Sequence, residues 1–122
     1  VKKKVKIEKM TQQSANLGSF VSSLYSEDYD LMSRSVIDQV VEPDRAFLIP
    51  EFDNIQRISK NSGSIAVGIS GSGPSIFSLS NNRITSNKVL ESISQHYSSM
   101  DIEHDVFISK VNSGGIKIIE TK

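Results

Sequence analysis

Two short segments of this chain combine residue types that chemistry can use. The first is Gly68-Ile69-Ser70-Gly71-Ser72-Gly73-Pro74-Ser75. Gly71 and Gly73 can take positive φ at no steric cost and leave room for backbone to approach a ligand. Consecutive amide groups in such a turn can form an anion-holding concavity. The segment is not a Walker-type phosphate loop, which needs Lys and then Ser or Thr after its last glycine, because Pro74 follows Gly73. Nor is it a dinucleotide fingerprint, since a third glycine is lacking and the chain runs on into a strand pattern instead of a helix. Composition leaves two readings, a tight hairpin turn and a ligand-lining loop. The density of Gly and Ser, with Pro inside, exceeds what a plain turn needs.

The second segment is Glu42-Pro43-Asp44-Arg45. Arg45 leaves a helix end on a connector stiffened by Pro43, and a guanidinium fork matches a carboxylate with two parallel hydrogen bonds. Taken alone, Arg45 reads first as a surface arginine, with the carboxylate grip as the alternative.

The elements that must position these segments follow from hydrophobic spacing. Ile7, Met10, Leu17, Val21 and Leu24, joined by Phe20, recur at three- and four-residue steps and predict a helix over roughly residues 7–25 with one apolar stripe. Small Ser14, Ala15 and Gly18 would let another element come close. Asp28 is placed to cap a second helix with Met32, Val36, Ile37 and Val40 inward, which Glu42-Pro43 should stop. A connector spans 44–49. Pro50 then opens a short third helix carrying Phe52, Ile55 and Ile58, closed at Gly63.

The period changes at Ile65, Val67 and Ile69, which alternate with Ala66, Gly68 and Ser70 as a strand. Ile76-Phe77-Ser78-Leu79 is a second short strand. Thr85 or Ser86 should open a last long helix with Val89, Leu90, Ile93 and Tyr97 inward. Val106-Phe107-Ile108 and Ile116-Lys117-Ile118-Ile119 predict two more strands around the Asn112-Ser113-Gly114-Gly115 turn. The order predicts an α+β fold, with helices packed on one face of a mainly antiparallel sheet.

Composition narrows the function classes. Length favours one domain, spanning 1–122. The apolar share of 37% is low and Ser is abundant, so modest stability is expected. The 14 basic and 14 acidic side chains cancel, which removes the general field that draws in nucleic acid or an anionic membrane. Lys2, Lys3, Lys4 and Lys6 bunch together as a solvated opening segment, a phosphate or acidic-partner patch being the alternative. With no cysteine, disulfides, thiolate nucleophiles and Cys-based zinc sites are excluded. No run approaches the roughly 18 apolar residues of a membrane span, no leader is visible, and a cytoplasmic location is expected. The opening at Val1 reads as the middle of a longer protein.

Lesser candidates are weaker. Gln13 and Asn16 read as outer-face polar residues, with orientation toward a cleft as the alternative. His96 and His104 read as solvent-side histidines. Asp101, Glu103 and Asp105 read as the outer face of a strand, because three alternating carboxylates need not converge on a metal. Tyr25 and Tyr29 read as packing residues.

Together these segments resemble a family. Gln12-Gln13-Ser14-Ala15-Asn16-Leu17, Glu42-Pro43-Asp44-Arg45, Leu48-Ile49-Pro50 with Phe52, and Gly68 to Phe77 occur in the order and at the spacing of homoserine kinases, a branch of the GHMP kinase superfamily. The likeness runs from about Lys2 to Ile119. It implies a ferredoxin-like C-terminal domain, which in the family begins with a strand upstream of Val1. The implied reaction transfers the ATP γ-phosphate to the hydroxyl of L-homoserine, for threonine biosynthesis. Arg45 matches the arginine that grips the homoserine carboxylate. Gly71, Ser72, Gly73, Pro74 and Ser75 match the third conserved motif, which lines the cleft. No residue of this chain is implied in acid–base catalysis. ATP and Mg2+ would be held mainly by an N-terminal domain outside this chain, which is a partner in the same enzyme; a second carboxylate-binding arginine is also expected upstream, so the chain alone is not expected to catalyse. Whether copies pair as homodimers is left open.

Two other readings compete. A stand-alone amino-acid-sensing module would need a complete four-stranded sheet. An RNA-binding module would need more strand aromatics than Phe77 and Phe107, and a basic surface.

Overall fold

The structure is a computed structural model that describes residues 4–120. Lys2 and Lys3 of the basic run lie outside the described residues. Helix α1 covers Ile7–Ser26 and ends in Glu27 at φ 54, whose amide donates to the Ser23 carbonyl. Helix α2 covers Tyr29–Ser35, and the Asp28 carboxylate caps it by accepting the Leu31 amide at 2.9 Å.

α2 stops at Ser35, not at Glu42-Pro43, and Val36, Ile37 and Val40 therefore belong to a loop. Asp38 is the cause. Its carboxylate accepts the amides of Val40, Val41 and Glu42 at 2.8, 2.9 and 3.1 Å, an alternative to helical carbonyls that Asp offers backbone generally. Glu42-Pro43 then starts a helix. Helix α3 covers Glu42–Arg45 with Pro43 in its first turn, where a missing N–H costs nothing. A 3-10 turn over Ala46–Leu48 leads to Ile49. Helix α4 covers Phe52–Asn61, and its N-cap is Glu51 in the left-handed region at φ 60; Pro50 precedes the cap instead of occupying the first turn. Gly63, at φ +100, follows its C-cap as the sequence predicts.

Strands β1 (Ala66–Ile69) and β2 (Ile76–Leu79) form an antiparallel hairpin pairing Ala66 with Leu79, Val67 with Ser78, Gly68 with Phe77 and Ile69 with Ile76. Helix α5 covers Arg83–Ser99. It begins before the predicted start at Thr85 or Ser86 because Asn82 is the cap, accepting the Thr85 amide at 2.8 Å. α2 and α4 pack against β1, α1 packs against α2, and α5 against α4.

The predicted strands at 106–108 and 116–119 are not formed. The described sheet has two strands, and a strand needs a ladder partner that neither segment finds among the described residues. Residues 102–108 still alternate, with Ile102, His104, Val106 and Ile108 half-buried and Glu103, Asp105 and Phe107 exposed. The three carboxylates at 101, 103 and 105 thus point to solvent as expected.

The core is small. Met32, Ile49, Phe52, Ile55, Ala66, Val67, Val89 and Tyr97 are its buried hydrophobic members, helped by buried Ser23, Ser35, Ser59 and Ser64. Ser23 and Ser35 return their hydroxyls to the Phe20 and Leu31 carbonyls of their own helices. Ser64 joins the hairpin through the Ala66 and Leu79 carbonyls. Such serines let elements approach closely but contribute little apolar burial. The stripe predicted to be inward on α1 is instead largely uncovered, Leu17 being 66% exposed. Tyr25 is 90% exposed and Tyr29 is also exposed, so neither is a packing residue in this structure.

Candidate functional site

The β1–β2 connection is the glycine segment. The Ser70 amide donates to the Ser75 carbonyl at 2.8 Å and the Gly73 amide to the Ser70 carbonyl at 3.1 Å, which closes the loop. Gly71 and Gly73 take φ of +59 and +79. Gly73 also sits against the side chain of buried Ile49: a Cβ built there would lie 3.4 Å from Ile49 Cδ1. The Leu48-Ile49-Pro50 stretch therefore braces the loop from below. Gly68, opposite Phe77, has a different reason to lack a side chain, since a Cβ would come within 2.9 Å of the Phe77 ring.

Arg45, the last residue of α3, reaches this loop. Its Nη1 donates to the Ser72 carbonyl at 3.1 Å across 27 residues of sequence. The two segments singled out for chemistry thus meet in space. The bond engages one N–H of a guanidinium that has five.

Beside them lies a cleft of about 250 Å3 between α1, the 36–41 loop and the hairpin. Leu17, Phe20, Val36, Val41, Ile69 and Phe77 give it apolar walls, and Gln13, Asn16, Asp38 and Glu42 give it polar ones. Gln13 and Asn16 face inward toward the 36–41 loop, the alternative raised for them above. Gln13 Oε1 accepts the Gln39 amide at 2.7 Å, and Asn16 Nδ2 donates to the Ile37 carbonyl at 2.9 Å.

Glu42 links three elements. Its Oε1 accepts from Gln56 Nε2 of α4 at 3.1 Å, and its Oε2 faces Gly68 of β1. Burial holds its carboxyl above the ordinary carboxylate range, against the Gln56 hydrogen bond, and the nearby Asp38 charge pushes the same way.

The histidines lie apart from this cleft and are not simple solvent-side groups. His96 Nε2 pairs with Glu51 Oε2 at 3.0 Å, and Asn54 Nδ2 donates to the same oxygen at 2.7 Å. These partners, Asn54 first, lower the Glu51 carboxyl below its ordinary value. His104 packs its ring 5.2 Å from that of Tyr97.

Sequence spacing missed Asp38, and it marked Glu42 only as part of the segment that carries Arg45. The signal for Asp38 was present, an Asp followed at two to four residues by amides that lead into a proline.

The family described as GHMP kinases C terminal matches residues 20–99. This chain belongs to that family. It is also similar to homoserine kinases: it is 36% identical over 121 residues to that of Chlorobaculum tepidum and 36% identical over 117 residues to that of Chlorobium phaeobacteroides. Those matches cover 98% and 94% of the chain but 37% of each relative, so the chain spans a little over a third of their length. The crystal structure of homoserine kinase from Cytophaga hutchinsonii superposes with a TM-score of 0.89 at 35% identity, covering 94% of this chain and 36% of that one. The α+β fold with an antiparallel hairpin is that of the GHMP kinase C-terminal domain.

Proposed function

We propose that this chain is the substrate-side C-terminal domain of a homoserine kinase, which transfers the ATP γ-phosphate to the hydroxyl of L-homoserine and yields O-phospho-L-homoserine. The observation that carries the reading is the bond from Arg45 to Ser72, which fixes a guanidinium at the lip of the glycine loop. Arg45 grips the amino-acid carboxylate as a two-pronged donor, and the Ser72 carbonyl holds its aim. Phosphoryl transfer relies on positioning and charge stabilisation, and these residues supply positioning. Gly71 lines the cleft, and in this reading the loop from Gly71 to Ser75 is the edge that the acceptor meets.

ATP and Mg2+ belong to the remainder of the enzyme in this reading. No group of three His, Asp or Glu side chains among the described residues could hold a metal ion. No helix of the described residues is long and apolar enough to cross a membrane, and a cytoplasmic location is part of the proposal. The sensing-module alternative requires a four-stranded sheet, and the described residues form two strands.

The test is ADP release by the full-length protein with L-homoserine, L-serine or L-threonine as acceptor. Homoserine should support turnover well above the other two. Absence of any homoserine-dependent ADP release would refute the reading.

A further inference from the structure

A four-residue helix cannot support itself. Nucleating one turn fixes several backbone angles for a single hydrogen bond, so α3 stands where its fastenings hold it. At its start the backbone is fastened by one side chain, while the Glu42 side chain is tied to Gln56 of α4. Asp38 uses both carboxylate oxygens, Oδ1 for the Val40 and Val41 amides and Oδ2 for the Glu42 amide. Pro43 has no N–H, so this one carboxylate satisfies each of the three donors leading up to the proline. The residues flanking Asp38 are pinned to α1, Ile37 by Asn16 and Gln39 by Gln13. At the other end of the single turn is Arg45, already bonded to Ser72.

We propose that Asp38 is a positioning residue for the acceptor: it fixes the start of α3 and thereby the direction of the Arg45 guanidinium, without touching the acceptor itself. The inference rests on the reading of Arg45 as the carboxylate grip. Gln13 and Asn16 extend the support to α1, which makes the 36–41 loop a bridge from that helix to the glycine segment. Because Asp38 acts through Arg45, its loss should resemble a weaker version of the loss of Arg45. Displacing a binding group by about 1 Å can cost up to two orders of magnitude in rate. Partial loosening of α3 should cost less.

The experiment compares full-length wild type, Asp38→Ala, Asp38→Asn, Arg45→Ala and the double variant Asp38→Ala/Arg45→Ala. Each is titrated with homoserine and, separately, with ATP. Asp38→Ala should raise the homoserine KM about tenfold while kcat and the ATP KM stay within about twofold. Asp38→Asn keeps one acceptor oxygen and loses the charge, so its KM should fall between wild type and Asp38→Ala. The double variant should be no worse than Arg45→Ala, because two residues on one path are not additive.

Equal losses toward homoserine and ATP, or losses that multiply in the double variant, would overturn the inference. Should Asp38→Ala fail to fold, an Asp38→Asn enzyme with wild-type homoserine KM would overturn it alone. If wild type and Arg45→Ala behave as the functional reading expects and Asp38→Ala does not, only this inference falls. If wild type ignores homoserine, both fall together.

Discussion

Glu42 and Glu51 are two carboxylates whose environments push them in opposite directions, and stability should follow. Glu42 is raised by burial, so its favourable contribution is complete below the unfolded-state value and disappears as pH climbs through the folded-state one. Glu42→Gln can still accept from Gln56, and its stability relative to wild type should therefore improve between pH 4 and pH 7. Glu51 is lowered by Asn54 and His96, so its contribution is present above the unfolded-state value and is lost as pH falls through the folded-state one. Glu51→Gln should lag wild type at pH 7 and draw level in acid. Urea midpoints measured across that range check both signs.

The glycines separate in the same way. Gly73 has φ +79 and touches Ile49, so Gly73→Ala should destabilise by about 1–2 kcal/mol. Gly18 lies within α1 with nothing within 4 Å of a built Cβ, and Gly18→Ala should stabilise by about 1 kcal/mol. Thermal unfolding of the two variants should move in opposite directions.

At the scale of elements, local chemistry was legible where it was strong. The α1 stripe, the Asp28 cap, the Gly63 stop and the alternation through Val67 all found their elements. The α2–α3 boundary did not, because apolar spacing through Val36 and Val40 imitates a helix while the Asp38 side chain redirects their amides. That competition is settled by hydrogen bonds that spacing does not reveal. Caps are readable in kind but not always in place: the spacing predicts a helix start at Thr85 or Ser86, whereas Asn82 is the cap. Asn82→Ala should cost about 0.5–2 kcal/mol and Asn82→Gly only a few tenths relative to wild type. Chemical denaturation of the pair distinguishes a cap from a packing role, since a packing residue would suffer more from glycine.

The same limit held at the site. Arg45 and the glycine loop stood out by residue type, but their meeting depends on how α3 is aimed, which no local pattern reports. Gln13 and Asn16 were visible as a pair one turn apart. Their partners at 37 and 39 were not, because those are backbone groups of a loop whose apolar spacing predicts a helix.

For the whole molecule, apolar spacing showed which residues are hydrophobic but not which of them this chain covers. Ile55 is buried at the centre, whereas Leu17 on α1 and Ile116, Ile118 and Ile119 near the end of the described residues are exposed. Ile55→Ala should cost about 2–5 kcal/mol, and Leu17→Ala should stay within about 0.5 kcal/mol in the chain expressed alone. The exposed α1 stripe of Ile7, Met10, Leu17, Val21 and Leu24 also predicts concentration-dependent association of the isolated chain in sedimentation.

The cleft is the feature that joins these scales, since α1, the Asp38 loop, Glu42 of α3 and the hairpin all line it, and Arg45 closes the same α3 turn. Its meaning is tested most directly by the homoserine saturation curve of the full-length Arg45→Ala variant. A hydrogen bond to a charged group contributes roughly 1.5–3 kcal/mol, so kcat/KM for homoserine should fall about 10- to 150-fold while the ATP KM holds. A variant with unchanged homoserine KM and kcat/KM would contradict the account.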